Sequence, residues 1–278
     1  MFDGYYEAVI ADTPLGRQIH HQIRYAVYCL ETGFEHPDLY PDGEERDPWD
    51  QHSIHLLVRH RATGQWVGAM RLIRPVSGGV LPIHALTGLD LPANGDHGVA
   101  EVSRLCVLGA HRREVTTQAT PDAQDAIGAF LPLPRDRHAV AEGRRKKLAR
   151  RPALEWKWDS RPGGVDQHRL RGPEIMAGLL RAAMEYSRDH GITHWYFLTN
   201  PSLARLVKRM KVEMLRVGDA CYHRGLRHPY WVDLNEAVFS AATRCQRMAG
   251  FLSRGEPYRL FSEIMPEPRP ALRAVAAA

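Results

Sequence analysis

Charged side chains recur in the first third of the chain, on or beside segments that are otherwise apolar. They are Arg24, Asp47, Asp50, Arg71, Glu101 and Arg104. Ionised side chains are rarely buried unless they are paired. Carboxylates can also move protons, and arginine forks bind anionic groups. The six residues therefore indicate either a structural ion-pair network or a polar active site, and both readings stay open at this point.

The first three of these charged residues lie on a predicted helix and at the end of the loop that follows it. Thr13-Pro14 forms a helix start, and apolar residues at helical spacing predict a helix from Pro14 to Leu30, which carries Arg24. The stretch from Pro37 to Trp49 is acidic and contains prolines, so we predict a loop there. Asp47 and Asp50 lie at the end of that loop.

Three predicted strands carry the remaining charges. Residues 53–59 and 66–74 are rich in strand formers and flank a plausible turn at 61–64, which predicts a hairpin. Residues 99–107 predict a third strand, which carries Glu101 and Arg104.

The second half of the chain alternates predicted helices and strands. They are a helix from Gly172 to Gly191, a strand at Thr193–Leu198, a helix capped by Asn200 that runs to Met210, a strand at Val212–Val217, a hairpin of Cys221–Arg224 with Tyr230–Leu234, and a helix at Asn235–Leu252. This order predicts an α/β arrangement, a mixed sheet flanked by helices.

A basic segment separates the two halves of the chain. Between Arg135 and Arg151 there are eight Lys or Arg and two acids, a local charge of +6 against +5 for the whole chain. Residues 111–172 show little periodicity and many Pro, Arg and Gly, so we predict an insertion, partly mobile, with a short helix near 142–150. The predicted divisions are therefore 1–110, 111–172, 173–234 and a C-terminal helix and tail over 235–278.

The composition excludes several classes of protein. With 44% hydrophobic and 25% charged residues, the 278-residue chain has the values of a soluble globular protein. No signal peptide and no apolar stretch of transmembrane length is evident, so we expect a cytoplasmic protein. The cysteines are widely spaced without a C-x-x-C pair, which predicts reduced thiols: Cys29, Cys106, Cys221 and Cys245.

Histidine is plentiful, but its spacing does not predict a metal site. His20-His21 lies among apolar residues of the predicted helix, and His52 and His55 flank a predicted strand. No Cys/His ligand set with the spacing of a zinc site is present. We therefore predict no metal and no tightly bound cofactor.

The charged residues belong to a series of short motifs in the first 115 residues. These are Ile23–Cys29 (IRYAVYC) leading to Phe34-Glu35, the spacing Gly43-x-Glu45-x-Asp47-x-Trp49-Asp50, Gly68–Ile73 (GAMRLI), Leu81-Pro82, Glu101–Leu105 (EVSRL) and His111-Arg112-Arg113. In this order they resemble the GNAT acyltransferases, in the branch of acyl-homoserine-lactone synthases and long-chain N-acyl amino acid synthases. The resemblance is closest to N-acyl amino acid synthases associated with the PEP-CTERM/exosortase system.

The resemblance implies a GNAT fold and transfer of a fatty acyl group to the amine of an amino acid. The donor would be a phosphopantetheine thioester, acyl carrier protein or coenzyme A, and the attack would be direct. An attacking amine must lose a proton, for which we assign Glu101 as general base. Arg71 and Arg104 are assigned to hold the acceptor's carboxylate.

The remaining members of the charged cluster receive supporting roles. Asp47 and Asp50 are expected to orient the two arginines and to contact the acceptor amine, and Arg24 to tie the helix to the acidic loop. Ser103 is expected to hydrogen-bond in the same pocket. A fold-stabilising ion-pair network remains the alternative for Arg24, Asp47 and Asp50.

Strand geometry sets a condition on this assignment. Glu101 and Arg104 are three residues apart, and strict alternation would place them on opposite faces of a strand. Both can face one site only if the strand contains a bulge, a feature common beside active sites.

The basic insertion has three readings: a solvated loop, a surface that binds nucleic acid or an anionic membrane, or a dock for acidic acyl carrier protein. The resemblance favours the third, through Arg144, Arg145, Lys146 and Lys147. Nucleic acid is disfavoured because the basic charge is confined to one loop without interleaved aromatics.

Two other functions remain open. One is acyl-homoserine-lactone synthesis from S-adenosylmethionine, which the same fold and charges would serve. The other is a non-catalytic module that binds acidic partners through the insertion, for which the charged cluster would be dispensable.

Overall fold

A mixed β-sheet organises the part of the chain that the structure, a computed structural model, describes: residues 2–76, 79–90, 98–112, 172–210 and 212–266. Its strands are β1 (Tyr6–Ile10), β2 (Ser53–His60), β3 (Trp66–Ile73), β4 (Val99–Val107), β5 (His194–Thr199), β6 (Leu215–Arg216), β7 (Cys221–Tyr222), β8 (Leu226–Asp233) and β9 (Arg259–Leu260). They lie in the order β6-β8-β5-β4-β3-β2-β1-β9, and β7 also pairs with β8. Neighbours are antiparallel except for the parallel pairs β4–β5 and β1–β9.

Helices cover both faces of the sheet. They are α1 (Phe2–Tyr5), α2 (Pro14–Tyr25), α3 (Pro82–Thr87), α4 (Gly109–Arg112), α5 (Gly172–Asp189), α6 (Pro201–Arg209), α7 (Leu234–Arg244), α8 (Gln246–Arg254) and α9 (Phe261–Ile264). On α5, the buried residues Ile175, Leu179 and Ala183 recur every four positions and form one core against the sheet. On the other face, α2 presents Ile19 and Ile23 in the same way. No helix of the described residues is long and apolar enough to cross a membrane.

The first predicted helix changes its winding near its end. Thr13 Oγ1 accepts a hydrogen bond from Gly16 N at 3.1 Å, as expected for the cap. The α-helix then ends at Tyr25 and continues as a π-helix over Ala26–Glu31. Such wide turns are frequent at functional sites, and here Tyr28 Oη donates to the carbonyl of Leu105 at 3.3 Å. Apolar spacing alone does not distinguish the two windings.

Several predicted elements differ from the structure. The strand expected at 212–217 contains only β6, and the long strand β8 begins at Leu226 instead of Tyr230. The single helix expected at 235–252 is two helices, α7 and α8, with extended backbone at Cys245. The elements α1, β1, α3 and β9 were not predicted. The strand β1 is buried at all five residues, so its sequence lacks the alternation that would have revealed it.

The end of the described chain returns to the same sheet. β9 pairs with β1, and the ring of Phe261 stacks on Trp66 with 5.4 Å between centroids. Residues 259–260 therefore form one edge of this sheet, and the helix α9 follows directly. Most of the predicted insertion, with its short helix, and the tail from 267 lie outside the described residues.

Candidate active site

A cavity opens where the two central parallel strands separate. β4 and β5 pair from Val99–His194 to Val102–Phe197, and the pairing ends there although both strands continue. A cavity of about 450 Å³ is lined by residues 103–106 on one side and 197–200 on the other. Crevices of this kind, at the carboxyl ends of parallel strands, are common ligand sites.

A bulge in β4 shapes the polar wall of this cavity. β3 pairs Arg71 with Ser103 and Ala69 with Cys106, so that two residues of β4 lie opposite one residue of β3. Arg104 lies in this bulge with φ +52°, in the left-handed backbone region that residues other than glycine rarely adopt. The bulge required by the sequence is therefore present, and it brings Arg104 to the cavity together with Glu101 and Ser103.

The acidic loop before β2 supplies the carboxylates of the wall, and its own short helix holds them in place. Asp47 caps a 3₁₀ turn over Pro48–His52 by accepting from Trp49 N at 2.9 Å. The backbone N–H of Asp47 donates in return to Asp50 Oδ2 at 2.8 Å. This reciprocal capping box helps to orient both carboxylates.

Glu45 forms ion pairs with two arginines, Arg24 and Arg104. Its carboxylate is fully buried and lies 2.5 Å from Arg24 Nε and 3.0 Å from Arg104 Nη2. Arg104 also contacts Asp47 Oδ2 at 2.9 Å. Glu45 is within the motif that carries the resemblance, but it was not among the predicted site residues.

Asp50 forms ion pairs with Arg24 and Arg71, which connects the remaining members of this network. Its Oδ1 lies 2.5 Å from Arg24 Nη1 and 2.8 Å from Arg71 Nη1. Arg71 Nη1 also contacts Asp47 Oδ1 at 2.6 Å, and its Nε donates to Ser103 Oγ at 3.0 Å. Three arginines and three carboxylates thus form a closed ring whose charges balance.

The ring controls the ionisation of its members. Burial by itself raises the pKa of Glu45, but the guanidinium groups of Arg24 and Arg104 outweigh burial and lower that pKa to about 2. The pKa of Asp50 is likewise lowered, against burial, by His55 and the arginines. The pKa of Arg104 is raised despite burial, by Glu45 and Asp47. All these groups stay ionised at neutral pH.

Glu101 behaves in the opposite way. It is buried, and burial raises its pKa to about 7, although the Ile83 N–H, Arg71 and Arg104 act to lower it. The Ile83 N–H, in the unpredicted helix α3, donates to Glu101 Oε2 at 2.8 Å. Among the described residues no cation lies within ion-pair distance of this carboxylate. Glu101 can therefore exchange a proton near neutral pH, which the members of the ring cannot.

The structure separates the predicted site residues into two groups. Asp47, Arg71, Glu101, Ser103 and Arg104 line the cavity. Arg24 and Asp50 lie behind this wall and contact only the ring and its surroundings. The predicted docking residues of the basic insertion, Arg144, Arg145, Lys146 and Lys147, lie outside the described residues.

A further cation, Arg227, also lines the cavity. The guanidinium of Arg227 on β8 donates to the carbonyls of His223 and Arg224, at 3.2 and 3.1 Å, and lies 6.0 Å from the Phe34 ring. Burial lowers its pKa. Its neighbour Arg224 is paired with Glu35, whereas Arg227 has no carboxylate partner in the described part of the chain. Sequence reading did not identify this residue, because its position depends on a distant strand.

Comparison with known proteins identifies the fold. Residues 23–121, which carry the whole ion-pair ring and Glu101, match the family model of the acetyltransferase (GNAT) domain. The fold is that of a GNAT acyltransferase. The predicted fold class and the predicted enzyme class, an acyltransferase, are thereby confirmed.

Several solved structures of other proteins superpose on most of the chain. TofI, in a ternary complex with an inhibitor and MTA, aligns with a TM-score of 0.52 and 16% identity, over 84% of this chain and 96% of its own. BjaI, a CoA-dependent acyl-homoserine lactone synthase with MTA, aligns with a TM-score of 0.50 and 13% identity, over 88% and 89%. FeeM, an N-acyl amino acid synthase from uncultured soil microbes, aligns at 0.48 and 11% identity, over 84% and 94%. No curated protein matches the sequence.

Proposed function

We propose that this GNAT acyltransferase transfers a fatty acyl group from a phosphopantetheine thioester to the α-amine of an amino acid or a related acceptor. The observation that carries the proposal is Glu101, a buried carboxylate without an ionic partner in the described structure, with a pKa of about 7, in the wall of the cavity between β4 and β5. An acceptor amine is protonated at neutral pH and must lose a proton before it can attack. A base poised near pH 7 serves that step.

The reaction needs one base and good positioning. Glu101 accepts a proton from the acceptor's ammonium group, directly or through water, and the neutral nitrogen attacks the thioester carbonyl. The C–N bond forms, the C–S bond breaks, and the pantetheine thiol leaves with a proton. No acyl-enzyme is required, so holding both substrates in the cavity supplies much of the rate.

The ring arginines are proposed to position this wall and not to bind the acceptor. The hydrogen bonds of Arg71 go to Asp47, Asp50 and Ser103, and those of Arg104 to Glu45 and Asp47. A substrate carboxylate would have to displace the protein's own carboxylates from these arginines. Both arginines act on Glu101 through their charge, which opposes the rise of its pKa caused by burial.

Arg227 is the better candidate to bind the acceptor's carboxylate. It lines the same cavity, it is held by two backbone carbonyls, and no described acid neutralises it. A partly desolvated arginine without a counter-ion gains most from a carboxylate ligand. The acceptor would then lie between Arg227, which binds its carboxylate, and Glu101, which accepts the proton of its amine.

Substitution of Arg227 by glutamine should therefore raise KM for the acceptor about 10- to 100-fold, the loss expected for one charged hydrogen-bond pair. KM for the acyl donor should change little. The matched test is an acceptor whose carboxylate is replaced by an amide, which should react equally poorly with wild type and variant. If the substitution lowers kcat/KM by the same factor for the carboxylate acceptor and for the amide acceptor, the assignment is contradicted.

The identity of the product tests the proposed function directly. Protein incubated with acyl carrier protein thioesters or acyl-CoA, and with single amino acids or S-adenosylmethionine, is analysed by mass spectrometry. An N-acyl amino acid supports the proposal. Absence of any acylated product with every donor and acceptor would favour the non-catalytic module instead.

Acyl-homoserine-lactone synthesis is the second candidate. S-adenosylmethionine also has an α-amine and a carboxylate, so Glu101 and Arg227 would serve it in the same way, and BjaI, which shares the fold, is described with MTA. A lactone product would select this candidate. The proposed setting, a cytoplasmic enzyme of a PEP-CTERM/exosortase system, is supported by the sequence resemblance alone.

We further propose acyl carrier protein as the donor, docked through the basic insertion. Reversing the charges of Arg144, Arg145, Lys146 and Lys147 should raise KM for acylated carrier protein at least tenfold at low salt and much less at high salt, because screening already weakens the attraction. KM for acyl-CoA is the control and should stay constant. An unchanged KM for the carrier protein would show that docking occurs elsewhere.

A further inference from the structure

Three buried histidines converge behind the cavity wall. His20 and His21 belong to α2 and His55 to β2, and one ring nitrogen from each lies within 4.8 Å of the others. The ring centroids of His20 and His55 are 4.6 Å apart, and those of His21 and His55 are 5.5 Å apart. None of the three lines the cavity. Their sequence spacing does not predict a ligand set, because the packing of α2 on β2 brings them together.

Hydrogen bonding shows which ring nitrogens are free. His20 Nε2 lies 3.1 Å from the carbonyl oxygen of Met70, and since a carbonyl only accepts, Nε2 must donate. The neutral ring therefore has its lone pair on Nδ1, which is buried with no hydrogen-bond partner. His21 Nε2 is also buried without a hydrogen-bond partner. Two orphaned nitrogens in one cluster are costly unless a ligand satisfies them.

The third histidine is oriented by a carboxylate. His55 Nε2 lies 3.3 Å from Asp50 Oδ1, and Asp50 Oδ2 lies 3.9 Å from His21 Nε2. A metal-binding histidine usually donates its other N–H to a carbonyl or a carboxylate, as His20 and His55 do here.

The charges around the cluster are mixed. Asp50 and Glu44 face the rings, and Glu44 Oε2 lies 4.0 Å from His21 Nδ1. The positive charges of Arg24, Arg46 and Arg71 also act on the rings. Burial, with help from Arg24, lowers the pKa of all three histidines, that of His21 to about 4. Burial thus favours the uncharged ring, the form in which imidazole binds a metal.

We propose that His20, His21 and His55 bind one divalent transition-metal ion, with Asp50 beside them as the nearest carboxylate. Imidazole ligands suit Zn²⁺, Ni²⁺ and Cu²⁺ and disfavour Mg²⁺ or Ca²⁺. Zinc–nitrogen bonds of about 2.0–2.1 Å require the rings to approach one another by about an ångström on binding. Because the site cross-links α2 to β2 and adjoins Asp50, the metal would steady the ion-pair ring and take no part in the reaction.

Metal content of the untagged, full-length protein tests this inference. After treatment with a chelator and gel filtration, the protein is titrated with Zn²⁺, and the bound metal is counted by mass spectrometry. We expect one Zn²⁺ per chain and a raised thermal midpoint. Co²⁺ in its place should give the visible absorption spectrum of a four-coordinate site. No binding of Zn²⁺ or Co²⁺ by the wild-type protein at micromolar concentration would overturn the inference.

Variants locate the metal. His55→Gln should weaken Zn²⁺ binding at least 100-fold, and His20→Gln should do the same. The matched control is His52→Gln, an exposed histidine three residues from His55, which should bind one Zn²⁺ as wild type does. If a folded His55→Gln variant keeps wild-type affinity and the Co²⁺ spectrum, the site is elsewhere. These readouts do not depend on acyl transfer, so they remain valid if the proposed function fails.

Discussion

Replacing Glu101 by glutamine is expected to lower kcat at pH 7 by about 10²- to 10⁴-fold, the usual worth of a general base. The glutamine oxygen can still accept the Ile83 N–H, so the local structure is kept while the exchangeable proton is lost. Wild-type kcat/KM should rise with pH through about 7, the pKa of Glu101, and this step should be missing in the variant. Steady-state kinetics from pH 5.5 to 9 measures both effects.

Glu185 provides a matched control. It is a partly buried glutamate on α5 whose pKa is also raised by burial, but it does not line the cavity. Glu185→Gln should therefore leave kcat and its pH profile unchanged. A Glu101→Gln variant with near wild-type kcat and the same pH step would remove Glu101 as the base.

The same substitution should make the protein more stable at high pH. Burial raises the pKa of Glu101 from 4.5 to about 7, so in the folded state ionisation of this carboxyl is unfavourable. The protonated carboxyl therefore contributes to the free energy of unfolding below pH 4.5. This contribution, about 3 kcal/mol, is lost as the pH rises from 4.5 to 7. Glutamine does not ionise and keeps that contribution. Urea unfolding should therefore show the variant more stable than wild type at pH 8 and similar to it at pH 4. A difference independent of pH would contradict the assigned pKa.

Replacing Glu45 by glutamine is expected to destabilise the fold by about 3–5 kcal/mol, the cost of leaving a buried charge uncompensated. Glu45 neutralises the buried guanidinium of Arg24 and that of Arg104, and glutamine offers no negative charge to either. The measurement is the urea midpoint at pH 7 with an unchanged m-value.

An exposed pair in the same loop is the control for Glu45. Asp42 binds Arg46 at the surface, and Asp42→Asn should cost less than about 1 kcal/mol. The pH dependence gives a second check. Because the folded state lowers the pKa of Glu45 from 4.5 to about 2, its stabilising contribution is present above pH 4.5 and is lost as pH falls towards 2. The variant should lose less stability over that range. Equal costs for the two variants would contradict a buried network.

The elements that place the site were largely predictable from sequence. The apolar stripe of α2, the strand-forming runs of β2, β3 and β4, and the cap of α6 at Asn200 are local signals, and the structure has all of them. The condition of a bulge between Glu101 and Arg104 also followed from residue spacing alone. The unpredicted helix α3 is short and has no side-chain oxygen at its cap, so its sequence has few of the usual start signals.

The amino-acid sequence by itself determined which charged residues would lie near the strands, and it predicted the fold class that they serve. Only the tertiary structure decided what each charge does. Glu45 and Glu101 are both buried glutamates, yet one lies between two guanidinium groups from elements 21 and 59 residues away and the other accepts a single backbone N–H. The surroundings of Arg227 and of the three histidines were likewise decided by the tertiary structure, because their neighbours come from segments distant in sequence. The free energy of a buried charge depends on its surrounding partners and on the water removed from it, and both are set by long-range packing.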